Sequence, residues 1–139
     1  MDAGGLTLIQ RLIALGKRSL LQYVSDAAPF TNEKSRDLCA AIFVAAAEER
    51  DAIASLLRVL QKQHIRPVVV GSYPAQFTLL NFVTIDSLAP KLSAEIELHL
   101  SELEKRLAAT DDEETRGLVE PFLAMKRRHL QMLQSPSAT

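Results

Sequence analysis

Residues 38–60 read Leu38-Cys39-Ala40-Ala41-Ile42-Phe43-Val44-Ala45-Ala46-Ala47-Glu48-Glu49-Arg50-Asp51-Ala52-Ile53-Ala54-Ser55-Leu56-Leu57-Arg58-Val59-Leu60. Within them Leu38, Ile42, Ala45, Ala46, Ile53, Leu56 and Leu60 recur at the spacing of one helical face, and neither Gly nor Pro interrupts the run. The stretch predicts a long amphipathic helix. Its unbroken apolar part, Leu38 to Ala47, is too short for a bilayer, which takes about 20 residues, so it reads as a core helix. One residue breaks the pattern. Glu49 lies seven positions after Ile42 and four before Ile53, on the apolar stripe itself.

Three further stretches show the same period. Leu6, Ile9, Ile13, Leu20 and Val24 form one before Pro29, and Leu88, Leu92, Ile96, Leu103 and Leu107 form another. Leu118, Phe122, Met125, Met132 and Leu133 form the last. Thr31 or Asn32 is placed to cap the second predicted helix, and Asp86 or Ser87 the third, with Pro90 in its first turn. Thr110 and Glu113 stand at capping-box spacing before the fourth, which Ser135-Pro136 ends. Pro121 predicts either a kink or a fourth helix beginning near Leu118. The links 27–31 and 108–112 are short, so each joins an antiparallel hairpin. Between the hairpins lies Arg66-Pro67-Val68-Val69-Val70-Gly71-Ser72-Tyr73-Pro74, followed by Phe77, Leu79, Leu80 and Phe82. A lone strand at the valines has nothing to pair with, so the segment reads as a long crossover. The expected fold is an all-α four-helix bundle in one domain, 1–139, with a long crossover between helices 2 and 3, the ferritin-like connectivity, and a disordered tail at about 135–139.

Composition narrows the function. A chain of 139 residues, 47% hydrophobic and 24% charged, can bury a core without staples. With 16 basic and 17 acidic residues and a net charge of −1, it offers no phosphate-tracking surface, so nucleic acid is not an expected partner. The cluster Lys126-Arg127-Arg128 fans around a helix and reads as a solvated face. The single Cys39 excludes an intramolecular disulfide and sits among apolar neighbours, which suits a core residue in a reducing compartment. Met1 to Gly5 has no basic leader, and a cytoplasmic location without membrane association is expected.

Most charges, Glu97, Glu104 and Glu120 among them, fall on outer faces. His129, between Met125 and Leu133, joins Glu49 on an inward stripe; Glu95 lies at the edge of the stripe of Leu92, and His99 on it. Measured from the loop between helices 3 and 4, Glu95 lies within about one turn of Lys126 and His129, while His99 is nearer the loop and reads as structural. A buried carboxylate needs a cation, a metal or a donor, so Glu49, Glu95, Lys126 and His129 are the expected core polar network. His64 ends the second helix near solvent, and Met125 and Met132 are packing residues.

With these residues the chain resembles the ferritin-like superfamily, particularly small rubrerythrin-like bundles. The resemblance rests on Leu20-Leu21-Gln22-Tyr23, Ala47-Glu48-Glu49-Arg50-Asp51, Tyr73-Pro74-Ala75-Gln76-Phe77 and Arg128-His129-Leu130. Di-iron members use Glu from two helices and Glu-x-x-His from the other two. Carried over by the resemblance, the helix 1 ligand position is Gly16, which otherwise reads as a site of close helix approach. Helix 2 gives Glu49-x-x-Ala52, helix 3 gives Glu95, and helix 4 gives Lys126-x-x-His129. Glu49, Glu95 and His129 survive as candidate metal ligands, and an ammonium stands where an acid belongs.

The expected function is therefore that of a ferritin-like bundle without a complete di-iron centre, a non-catalytic structural or interaction protein with no resident cofactor. A metal-binding oxidoreductase-type protein holding iron or another divalent ion at Glu49, Glu95 and His129 is the first alternative, and a small-molecule-binding bundle the second. The resemblance implies a homodimer paired through helix faces.

Overall fold

A computed structural model describes residues 1–27, 33–67, 71–80 and 84–134, with the side chain of Lys34 left out. The described chain is all-helical. Its α-helices are α1 (Ala3–Lys17), α2 (Leu20–Ala27), α3 (Arg36–Lys62), α4 (Ile85–Ala108) and α5 (Glu113–Gln134), with short 3₁₀ turns at Glu33–Ser35 and Ala75–Leu80. The expected caps Thr31 and Asn32, the link 28–31, the valines 68–70 and the tail 135–139 lie outside the described residues. No described helix is long and apolar enough to cross a membrane.

The first expected helix is two. α1 stops at Lys17, and α2 restarts at Leu20 with Ser19 in front of it. Ser19 Oγ accepts from Gln22 N–H at 3.2 Å, and Ser19 C=O takes the first helical bond, from Tyr23 N–H at 3.1 Å. Ser19 is thus an N-cap three residues before Gln22, the spacing of a capping box. The apolar period ran on across the break because α1 and α2 bury the same side.

Other helix ends also differ from expectation. Thr84 caps α4, ahead of Asp86 and Ser87, its side chain accepting from Ser87 N–H. Pro90 therefore lies in the second turn, where the missing N–H leaves the Asp86 carbonyl without its helical donor. Thr110 forms no capping box, since its hydroxyl donates back to Arg106 C=O at 2.9 Å. Asp112 precedes α5 instead, its carbonyl accepting from Arg116 N–H at 3.1 Å. α5 runs through Pro121 from Glu113 and does not begin at Leu118. The proline is exposed, so the carbonyl it strands, that of exposed Gly117, can take water in place of a helical bond. His64 is exposed beyond α3 with φ 57°, and Ile65 N–H reaches back to Leu60 C=O at 2.9 Å, a left-handed C-terminal cap.

Side-chain contacts give the helix directions. Glu104 meets Arg127 and Glu97 meets Gln134, so α4 and α5 are antiparallel. Gly16 meets Ile53, Ser19 meets Glu49 and Gln22 meets Ala46, so the α1–α2 arm is antiparallel to α3. Arg11 meets Glu102 and Leu20 meets Glu95, so the same arm is antiparallel to α4. One apolar cluster draws on all the α-helices and on Phe77, with Cys39 among its buried members. Tyr23, Tyr73 and Phe77 pack their rings 5.3 to 6.4 Å apart, fixing the segment before α4 against α2.

Gly16 sets how closely α1 approaches α3. It is buried, and a Cβ there would overlap Ile53 Cδ1. Gly16→Ala gains about 1 kcal/mol of helix propensity but overpacks a site where crowding costs roughly 1–3 kcal/mol. The substitution is expected to lower stability in urea denaturation by about 1 kcal/mol or more. In an Ile53→Val background, which removes the overlapping methyl, the same substitution is expected to be neutral or stabilising.

Candidate functional site

Inside the apolar core, between α2, α3, α4 and α5, lies a small cluster of buried polar side chains. At its centre Lys126 Nζ lies 2.7 Å from Glu49 Oε2, with side-chain exposures of 4% and 1%. The other oxygen of Glu49 accepts from Ser19 Oγ at 2.6 Å and from Gln22 Nε2 at 2.9 Å. The Gln22 amide also donates to Ala46 C=O at 2.8 Å and accepts at Oε1 from Arg50 at 3.0 Å. Every oxygen of the carboxylate is engaged, one by charge and one by neutral donors, as burial of an ion requires. Ser19 and Gln22 are both buried and reach Glu49 because the α1–α2 break turns the start of α2 inward.

Glu95 is part of the same interior but bonds differently from the expected network. Its Oε1 accepts from Leu20 N–H at 2.7 Å, so it satisfies a free donor at the start of α2, where the helix dipole favours negative charge. Burial pushes its carboxyl up from the ordinary range, opposed by that N–H; the Glu49 charge pushes the same way and Lys126 opposes it. His129 is buried but does not reach Glu95. Its Nε2 lies 3.4 Å from Glu48 Oε1, and neither ring nitrogen makes a hydrogen bond among the described residues. Burial, then the Lys126 ammonium, holds His129 below its ordinary range. His99, expected to be offset, lies within the field of the pair: burial first, and then Lys126, pull it down to about 4. Both rings are thereby kept neutral near pH 7.

Of the residues singled out in the sequence, the structure brings Glu49 and Lys126 into direct contact. Glu95 and His129 line the same interior and bond, or fail to bond, elsewhere. No group of three or more His, Cys, Asp or Glu among the described residues could hold a metal ion. At two of the positions that the resemblance maps onto ligands, the space beside Gly16 is filled by Ile53 and Ala52 carries no donor. Ser19 and Gln22 were missed by pattern reading, although Ser19-x-x-Gln22 is itself a capping-box signal. Comparison with family models, with curated proteins and with solved structures finds no match to this chain.

Two tests address this interior. Breaking the pair by Lys126→Met leaves the Glu49 carboxylate buried without a counter-charge, an expected loss of roughly 3–5 kcal/mol in chemical denaturation. The double variant Glu49→Gln/Lys126→Met keeps an acceptor for Ser19, removes both charges and is expected to recover most of that loss. The second test is acid stability. The unfolded chain protonates His99 near pH 6.5 and the folded chain only near 4, so this contribution is fully present above 6.5 and is lost as pH falls through that window. Glu95, raised on folding, acts in the opposite sense, favouring the folded state below its folded value. Between pH 7 and 4.5, wild type is expected to lose about 2 kcal/mol more stability than His99→Gln.

Proposed function

We propose that the chain is a ferritin-like four-helix bundle whose centre is held by a built-in cation, and that it serves as a non-catalytic structural or interaction protein. The observation that carries this reading is the Lys126–Glu49 contact of 2.7 Å in the fully buried interior. A di-iron centre in that position uses its positive charge to hold several carboxylates together. Here an ammonium supplies charge of the same sign to the same acid, and its presence repels any further cation.

The architecture supports the bundle half of the proposal. α1 and α2 act as one broken arm, antiparallel to both α3 and α4. It follows that α3 and α4 run in the same direction, which needs a connection along the length of the molecule. The chain between α3 and α4 has residues enough for such a connection, and Phe77, in its Ala75–Leu80 turn, packs into the core. One hairpin, one long crossover and a second hairpin are the connectivity of ferritin-like bundles.

The residues present do not fit two irons. Such a centre needs acids on four helices and two imidazoles, while Gly16, Ala52 and Lys126 supply none of them. A reduced site at Glu49, Glu95 and His129 is disfavoured because both oxygens of Glu49 are already engaged by Lys126, Ser19 and Gln22, and Glu95 Oε1 by Leu20 N–H. The partner of an interaction protein of this kind would meet its outer faces, where Val44 on α3 and Leu98 on α4 are 61% and 69% exposed. A second copy, pairing through helix faces, is the simplest such partner.

The reading is tested by growth with iron available and purification without chelator. Elemental analysis is expected to give well under one iron per chain, and the protein no ferroxidase activity. Two irons per chain would overturn the proposal and make the chain an oxidoreductase candidate.

A further inference from the structure

Beside the polar interior, on the outer side of the α1–α3 packing, lies a cleft of about 350 Å³ bounded by Gly16, Gln22, Arg50, Ile53 and Tyr73. A neighbouring cleft of about 580 Å³ shares Lys17 and Leu57 with it and runs on to Ile65 and Arg66. With two walls in common they make one trough. Its floor on α3 is apolar, because Arg50, Ile53 and Leu57 fall at helical spacing on one face, with the guanidinium at one end of the stripe.

Charge in the trough is one-sided. Arg50, Lys17 and Arg66 line it, and Asp26 is its only acidic lining residue among those described. Asp26 accepts from Tyr73 Oη at 2.6 Å. The structure gives Arg50, Lys17 and Arg66 no ion pair among the described residues. Arg50 is nevertheless held in place. One of its N–H groups donates to Gln22 Oε1 at 3.0 Å, and Gln22 is 4% exposed and locked from behind by Glu49 and Ala46. A guanidinium fixed by a neutral acceptor keeps its full charge and its remaining donors for something else. Arg50 is exposed, and this mount is what separates it from a freely solvated surface arginine.

We propose that the trough binds an amphipathic monocarboxylate, with its carboxylate on Arg50 and Lys17 and its hydrocarbon tail laid over Ile53 and Leu57 toward Ile65. The head group is assigned by the two cations lining the first cleft. The tail is assigned by the apolar stripe that continues into the second. The ligand touches neither member of the interior ion pair, which acts only by bracing Gln22 behind Arg50, and so the site goes beyond the function proposed above.

Decanoate, below the concentration at which it forms micelles, is the probe, titrated into the full chain and followed by amide NMR shifts and by melting temperature. Decanol, with the same tail and no charge, and acetate, with the same head and no tail, are the controls. Decanoate is expected to saturate, to shift amides of Arg50, Leu57 and Ile65, and to raise the melting temperature, with both controls about tenfold weaker or more. Arg50→Gln is expected to weaken decanoate by about tenfold and leave decanol unchanged. Lys17→Gln, at an exposed position that cannot disturb Gln22, is expected to weaken it in the same direction and serves if the Arg50 variant fails to fold. Absence of saturable decanoate binding overturns the proposal. So does decanol binding as tightly as decanoate, affinity that survives Lys17→Gln undiminished, or shifts that map away from the trough.

Discussion

Lys126 and Glu49 have almost no contact with water, and the cost of stripping two ions of solvent is several kcal/mol each before their attraction is counted. Such a pair adds little to net stability compared with apolar residues of the same size. What it adds is a severe penalty for every arrangement in which the two do not meet. If α5 slid one turn along α3, about 5.4 Å, the ammonium and the carboxylate would each be left buried and alone. The apolar stripes of the two helices would tolerate that slip far better, since one aliphatic side chain replaces another at the same depth. The ion pair therefore fixes the register of α3 against α5, while the greasy surfaces around it supply most of the driving force.

The break between α1 and α2 belongs to the same constraint. A continuous helix through residues 17–20 would keep the Leu20 N–H in an internal hydrogen bond and would aim Ser19 elsewhere. By ending α1 at Lys17 and restarting at Leu20, the chain frees donors at a helix start and presents them to the interior. Two acids use them. Glu95 takes the Leu20 N–H, and Glu49 takes the Ser19 hydroxyl and the Gln22 amide. The loss of a few helical bonds is thus offset by donors for carboxylates that could not otherwise be buried. α2 has only eight residues, too few to hold as an isolated helix, so this interior and the aromatic contacts of Tyr23 are what keep it folded.

How much of this was legible depended on the kind of information. Periodicity located the long helices and put Glu49 and His129 on inward stripes, because a residue's face follows from spacing alone. Helix ends were harder. Thr84, Asp86 and Ser87 are all competent caps, and which one is used depends on where the preceding segment meets the core. The break at Arg18–Ser19 was hidden by an apolar period that continues in phase through it, although Ser19-x-x-Gln22 was there to be read. Partner identity was the least legible. Nothing in the spacing says that Glu95 will bond to a backbone N–H on α2, or that His129 will face Glu48 across α3. Those contacts depend on helix rotation and on fractions of a turn in height, which a one-dimensional pattern does not carry. Gly16 was legible as a gap in a ligand set or as a close approach, and only Ile53 in three dimensions gives it the second meaning.

Gln22 links the interior to the surface. Its amide has a donor end and an acceptor end, and the two face opposite demands. Nε2 points at the Glu49 carboxylate and the Ala46 carbonyl, both acceptors, while Oε1 points at the Arg50 guanidinium, a donor. Turning the amide over would set oxygen against a carboxylate and a carbonyl and set N–H against a cation. The flip fails at both ends, so the orientation is fixed without any help from packing. The negative charge of Glu49 thus dictates, through one amide, where a cation stands on the outer face of α3. The same buried acid that draws in Lys126 from α5 orients Arg50 outward on its own helix, and the chemistry available at the surface follows from the way the core disposes of a single charge.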